Sequence, residues 1–196
     1  MEGPLPGGTR GILHARTGLE RFRIERLEPP AALAPFVANF WVLRWDLRGR
    51  PPHRQRILTR PSVHVTFTSY LTAGTTRARI AGVVRDDFVE EIQGEGRVVG
   101  AAFRPGGFRP FMDAPVSTLT GRFPGVDEVF GEEGLNLAGE VFATADAHAA
   151  VWCWRRSCPP VRPSPTRPPP RPPRSSSGSR RGRAWCGSAS WPRRSG

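Results

Sequence analysis

The sequence predicts an α+β domain: an antiparallel curled sheet or small barrel, then short helices, then a disordered Pro/Arg-rich tail. Three observations predict it. Between Asn39 and Phe103, short segments alternate apolar and polar residues, the period of a strand with one buried face. After Phe103 the segments are punctuated by helix starts and stops. Near residue 150 the composition changes altogether: all 17 acids lie at or before Asp146.

Residues 1–24 read as a lead-in segment with little periodicity. Pro29 and Pro30 introduce AALAPFVANF, an apolar turn or short helix. From Asn39 to Leu47, Trp41, Leu43, Trp45 and Leu47 point one way, and Arg44 and Asp46 the other. RGRPPHR, residues 48–54, reads as a loop. In SVHVTFTSY, residues 62–70, Val63, Val65 and Phe67 share one face while His64, Thr66 and Thr68 share the other. Further strands are expected at Arg77–Val84, Phe88–Gln93 and Arg97–Phe103. Short connections between sequential strands argue for an antiparallel meander, a curled sheet or a small barrel.

FRPGGFRPF, residues 103–111, reads as a strand-to-helix corner, because Pro105-Gly106-Gly107 forces a tight turn. VSTLTGRF, VDEVFG and LNLAGEVFATADAHAA read as short helices. Asp127 and Glu128 suit a first helical turn, and Gly131 suits a stop.

From Val151 to Gly196 there are 11 Arg, no acid, and no Leu, Ile, Phe or Met. That composition buries too little apolar surface to offset the entropy of ordering. The expected division is therefore a lead-in at 1–24, a folded domain at 25–148 and a tail at 149–196. The formal charge of +12 belongs almost wholly to the tail, since residues 1–150 carry 18 Arg against 17 acids. Every cation is Arg and none is Lys, which points to a GC-rich gene. No run approaches the ~20 apolar residues of a membrane span. The N-terminus lacks the apolar core of a signal peptide, and residues 1–150 hold no Cys. A cytoplasmic protein without membrane contact is the expectation.

The chemistry-bearing residues are sparse. The four His (14, 53, 64, 148) show no metal-ligand spacing, so no metal and no cofactor is expected. No Ser sits in a G-x-S-x-G elbow, and the acid pairs Asp86–Asp87, Glu90–Glu91 and Glu132–Glu133 are sequence neighbours. On a strand, neighbours face opposite ways. No enzyme is expected. His64 reads first as a hydrogen-bonded or solvent-facing side chain and second as a ligand contact. Trp41 and Trp45 read first as core and second as the floor of a pocket.

Four segments together resemble a known family. They are FVANFWVLRWDLRG (36–49), HRQRILTRPSVHVTF (53–67), VVGAAFRPGGFRPF (98–111) and PVSTLTGR (115–122). They resemble the N-terminal domain of a group of AraC-type transcriptional regulators common in GC-rich actinobacteria. The resemblance spans roughly residues 10–145 in order. It implies a sensory or regulatory domain, cupin-like at most, followed by paired helix-turn-helix units after about residue 165. It also implies a small-molecule effector or protein partner, leaves a homodimer open, and assigns DNA contact to intact relatives. The candidate ligand contacts, inside the curled sheet, are Trp41, Trp45, His64 and Arg104.

Beyond residue 165 this chain has no apolar helical periodicity. A frameshift accounts for both the missing units and the odd composition. Every Trp and Cys codon begins with TG, so reading from each codon's third base turns Trp152, Cys153, Trp154, Cys158, Trp185, Cys186 and Trp191 into Leu, Met or Val. With GC-rich third bases, 184–196 then reads GVVRVGELAAEVG, like the opening of a helix-turn-helix. The expectation is thus a truncated regulator, lacking its sequence-specific DNA reader. Two alternatives stay open. One is a small barrel that binds or transforms a hydrophobic metabolite. The other is a tail that binds partners through P-x-x-P spacing in 159–174, or nucleic acid through SRRGR at 179–183.

Overall fold

Among the described residues, seven antiparallel strands form two layers, and three helices of the C-terminal part close one side. The structure is a computed structural model, and it describes residues 18–57, 60–85 and 88–157. The strands are β1 (Phe22–Leu27), β2 (Val37–Leu47), β3 (His53–Ile57), β4 (His64–Tyr70), β5 (Thr75–Ala81), β6 (Phe88–Ile92) and β7 (Gly94–Phe103). Five of them make one sheet in the order β1-β2-β7-β4-β5, and β3 and β6 pair as a separate ribbon. Two 3-10 turns follow, at Arg109–Phe111 and Val116–Leu119. The helices are α1 (Val126–Phe130), α2 (Glu132–Ala143) and α3 (Ala147–Ser157). This is the expected α+β order, strands first and helices second.

Pleating gives the large sheet two unlike faces. One face presents Phe40 and Val42 of β2, Val65 and Phe67 of β4, Ile80 of β5, and Val99, Ala101 and Phe103 of β7. Against it pack Leu137, Ala138 and Val141 of α2, and Ala150, Val151, Cys153 and Trp154 of α3. Trp154 is fully buried, its ring 5.7 Å from Phe40 and 5.8 Å from Phe67, edge to face in both cases. The opposite face turns toward the β3–β6 ribbon. A smaller cluster of Phe22, Trp45, Leu47 and Ile92 closes one end of that interlayer space.

Several expectations are corrected. β1 falls partly within the supposed lead-in, and β3 overlaps the supposed loop at 48–54. AALAPF is a turn, held by the Val37 amide donating to the Leu33 carbonyl at 2.7 Å, and β2 begins directly after it. β5 ends at Ala81 rather than Val84. The largest correction concerns the tail: residues 149–157 are helical, so the fold runs past 148 into the acid-free stretch. Asp146, the last acid of the chain, starts this helix by accepting a hydrogen bond from the Ala149 amide at 2.7 Å. Residues 158–196, including the P-x-x-P and SRRGR segments, lie outside the described residues, as does most of the lead-in. Among the described residues no helix is long and apolar enough to cross a membrane.

Phe103-Arg104-Pro105-Gly106-Gly107 is the expected corner, and it leads into a 3-10 turn. The Arg104 amide donates to the Phe36 carbonyl at 2.8 Å, and its guanidinium Nε donates to the Ala34 carbonyl at 2.9 Å. A Cβ on Gly107 would lie 2.3 Å from the Phe36 oxygen. The motif therefore docks the 31–36 turn against the end of β7. Phe103, Phe108 and Phe111 fill the corner, with Phe103 edge-on to both others at 4.8 and 5.4 Å.

Candidate ligand cavity

A cavity of about 230 Å³ lies between the large sheet and the β3–β6 ribbon. The strand register explains its floor. Arg26 pairs with Trp41, Trp41 with Gly100, Gly100 with Thr66, and Thr66 with Arg79, so five strands contribute one transverse row. One row toward the ribbon-closed end runs Ile24, Leu43, Val98, Thr68 and Arg77. On the other side lie Asn39, Ala102, His64 and Ala81. The floor thus grades from polar at the His64 end to apolar near Leu43 and Val98. From above, the ribbon and its surroundings add Gln55, Ile57, Phe88, Glu90, Ile92 and Phe123.

Two tryptophan–glycine pairs shape this floor. A Cβ on Gly100 would lie 2.3 Å from the Trp41 indole, and a Cβ on Gly96 would lie 2.2 Å from the Trp45 indole. Each ring therefore lies across bare β7 backbone, an aromatic covering a cross-strand glycine. The two tryptophans nevertheless differ in role. Trp41 lines the cavity. Trp45 is buried beyond it, donating its indole N–H to the Gln93 carbonyl at 3.0 Å and packing edge-on to Tyr70.

Charge is unevenly distributed. Glu90 is the acid among the lining residues, against Arg26, Arg60 and Arg79. It is already committed: it pairs with Arg77 and accepts from Arg79 Nη2 at 2.8 Å. The Arg79 guanidinium also sits 5.2 Å from the centre of Phe123 and 5.8 Å from that of Phe88. Phe88 and Phe123 stack on each other, 5.5 Å apart. The Nε atoms of Arg77 and Arg79 are buried without a partner among the described residues.

The other end is built around His64. Its Nε2 is 3.4 Å from the Ser62 hydroxyl. Burial first, and then the neighbouring Arg26 and Arg60 charges, lowers its pKa to about 4. At neutral pH the imidazole is uncharged, able to donate from one nitrogen and accept at the other. Arg26 Nη1 donates to Asn39 Oδ1 at 3.4 Å.

Of the four expected ligand contacts, the structure brings Trp41 and His64 to the cavity and leaves two outside it. Trp45 sits in the closing cluster. Arg104 is exposed and holds the 31–36 turn. The expected reading missed Arg26, Arg79, Glu90, Phe88 and Phe123. The alternation of Arg77 and Arg79 opposite Thr66 and Thr68 was the available signal for Arg79. Among the described residues no group of three His, Cys, Asp or Glu is placed to hold a metal ion.

Residues 25–124 match a family model described as a domain of unknown function, DUF6597, and the chain belongs to that family. The match covers β2 to β7, the second half of β1 and both 3-10 turns, and stops just before α1. No curated protein and no solved structure matches the chain.

Proposed function

We propose that the domain is the sensory unit of an AraC-like transcriptional regulator, and that the cavity receives its small-molecule effector. The observation that carries this is the cavity itself: an interior space with an aromatic wall and a few convergent polar groups, between two layers that pack well elsewhere. Protein interiors normally fill such space, because close packing stabilises them. Pockets that bind small molecules share this mostly apolar lining with a few polar groups. The resemblance of the R-P-G-G-F-R-P-F and L-T-G-R segments supports the regulatory assignment. So does the layout: α2 and α3, which lead toward the C-terminal part, pack on the sheet face opposite the cavity. An occupant that shifts the sheet acts on them through one layer of backbone.

Thermal melting of the full chain against a panel of small metabolites tests the sensor. A ligand at a hundred times its Kd adds about 2.7 kcal/mol, well within detection. At least one compound is expected to raise the melting temperature, and Thr66→Trp, which fills the floor, to abolish the rise. A panel that leaves the melting temperature unmoved, or a shift indifferent to Thr66→Trp, rejects the reading. The regulatory half predicts that the 196-residue chain selects no consensus from a random DNA pool. Recovery of a consensus contradicts it.

A further inference from the structure

We propose that the cavity takes a flat, uncharged ligand of one ring bearing an oxygen substituent, the ring over Trp41 and the oxygen bonded to the Thr68 hydroxyl. This rests on the sensory reading and names the ligand class for the same cavity.

Size comes first. A dry cavity of about 150 Å³ holds one benzene ring. A space of about 230 Å³ therefore suits one ring bearing a short substituent. Shape agrees, because the Trp41 indole lies across the β7 backbone at Gly100 and lines the cavity. Stacking on an indole favours a planar partner.

Thr68 sets where the substituent goes. It lines the cavity from β4, is only 4% exposed, and pairs with Val98 of β7. Its neighbour Thr66 donates its hydroxyl to the Arg79 carbonyl at 3.4 Å. The Thr68 hydroxyl has no partner among the described residues. Buried hydroxyls are normally bonded, and an unmet one costs free energy. Adjacent strands lie about 5 Å apart, so a substituent on a ring stacked above β7 reaches β4.

The surroundings of Thr68 disfavour a charge. Its row across the sheet holds Ile24, Leu43 and Val98. Burying an ion among them costs far more than burying one bonded hydroxyl. On the other side of Thr68, β5 brings Arg77 opposite it and Arg79 one pair further along. Glu90 already binds both. Arg79 also packs on Phe88 and Phe123. Arg77 reaches over Tyr70 with 41% of its side chain in solvent, which screens its charge.

Isothermal titration of the full chain with phenol, toluene and benzoate tests this. Phenol is expected to bind more tightly than benzoate. Thr68→Val, which replaces the hydroxyl by a methyl, is expected to weaken phenol about fivefold, the ratio one ordinary hydrogen bond supplies, and to leave toluene unchanged or tighter. The melting temperature of the unliganded variant should equal or exceed that of the parent, because an unmet buried hydroxyl is gone. A lowered melting temperature shows a hydroxyl already bonded within the fold and overturns the assignment. Phenol indifferent to Thr68→Val, toluene weakened as much as phenol, or benzoate binding as tightly as phenol also overturns it. Each of these leaves a sensory cavity in place. If no probe binds, the ligand class is wrong; if no metabolite raises the melting temperature either, the sensory reading itself fails.

Discussion

The most demanding single position in the domain is Gly100. Any side chain there meets the Trp41 indole at 2.3 Å, so the ring must leave its place on the β7 backbone. Gly100→Ala is expected to destabilise the fold by about 1–3 kcal/mol, the range for overpacking, as read by urea denaturation. Adding Trp41→Leu should recover part of that loss. His64 supplies the second expectation. Its folded pKa lies near 4, below the ordinary value of 6.5. The unfolded chain therefore binds the proton first, and the stability this neutral His permits is present above about pH 6.5 and lost as pH falls toward 4. One such proton gives a slope of at most about 1.4 kcal/mol per pH unit. Stability measured from pH 7 to 4 should fall less steeply in His64→Gln. The sequence offered His64 and Trp41 as ligand contacts only as second readings, behind a hydrogen-bonded or solvent-facing His and a core Trp. It did not separate Trp41 from Trp45, because both alternate alike and only the closing cluster distinguishes them.

Among the elements, β3 and β6 stand apart. They pair with each other only, whereas β7 and β4 are each bonded on both sides. A two-stranded ribbon is marginal by itself and leans on the layer beneath it. Amide hydrogen exchange should accordingly be faster across His53–Ile57 and Phe88–Ile92 than across β4 and β7, and a cavity ligand should slow it in the ribbon most. The dry inward face was legible in β4, whose Val65 and Phe67 turn toward α2 and α3, whereas the legible stripe of β2, Trp41, Leu43, Trp45 and Leu47, turns toward the cavity and its closing cluster. β3 was not legible. Its sequence HRQRI has one apolar residue, because the face it buries looks into a partly polar cavity. β1 was hidden for the same reason, with Arg26 on its inward face where a hydrophobe would have completed the pattern.

For the whole molecule, the helical layer is as much part of the core as the sheet. Trp154 touches strands β2, β4 and β7 through Phe40, Phe67 and Phe103. Trp154→Ala is expected to destabilise by about 3–5 kcal/mol, a large fraction of a domain's stability, measured by thermal or chemical unfolding. Composition pointed to a boundary near 148 because it averages over dozens of residues. Two to three helical turns with one buried indole leave no mark on such an average.

That indole sits where two readings of one stretch of DNA would diverge. A Cys codon ends in C or T, so the third-base frame gives CTG or TTG in place of Trp154, and both encode Leu. A Trp codon ends in G, so Cys153 is replaced by GTG, which encodes Val. Both inward positions stay apolar in either frame, without reference to codon usage. The two readings of α3 would therefore differ in volume rather than polarity: an indole fills the hollow between Phe40, Phe67 and Phe103, and a leucine would leave part of it empty.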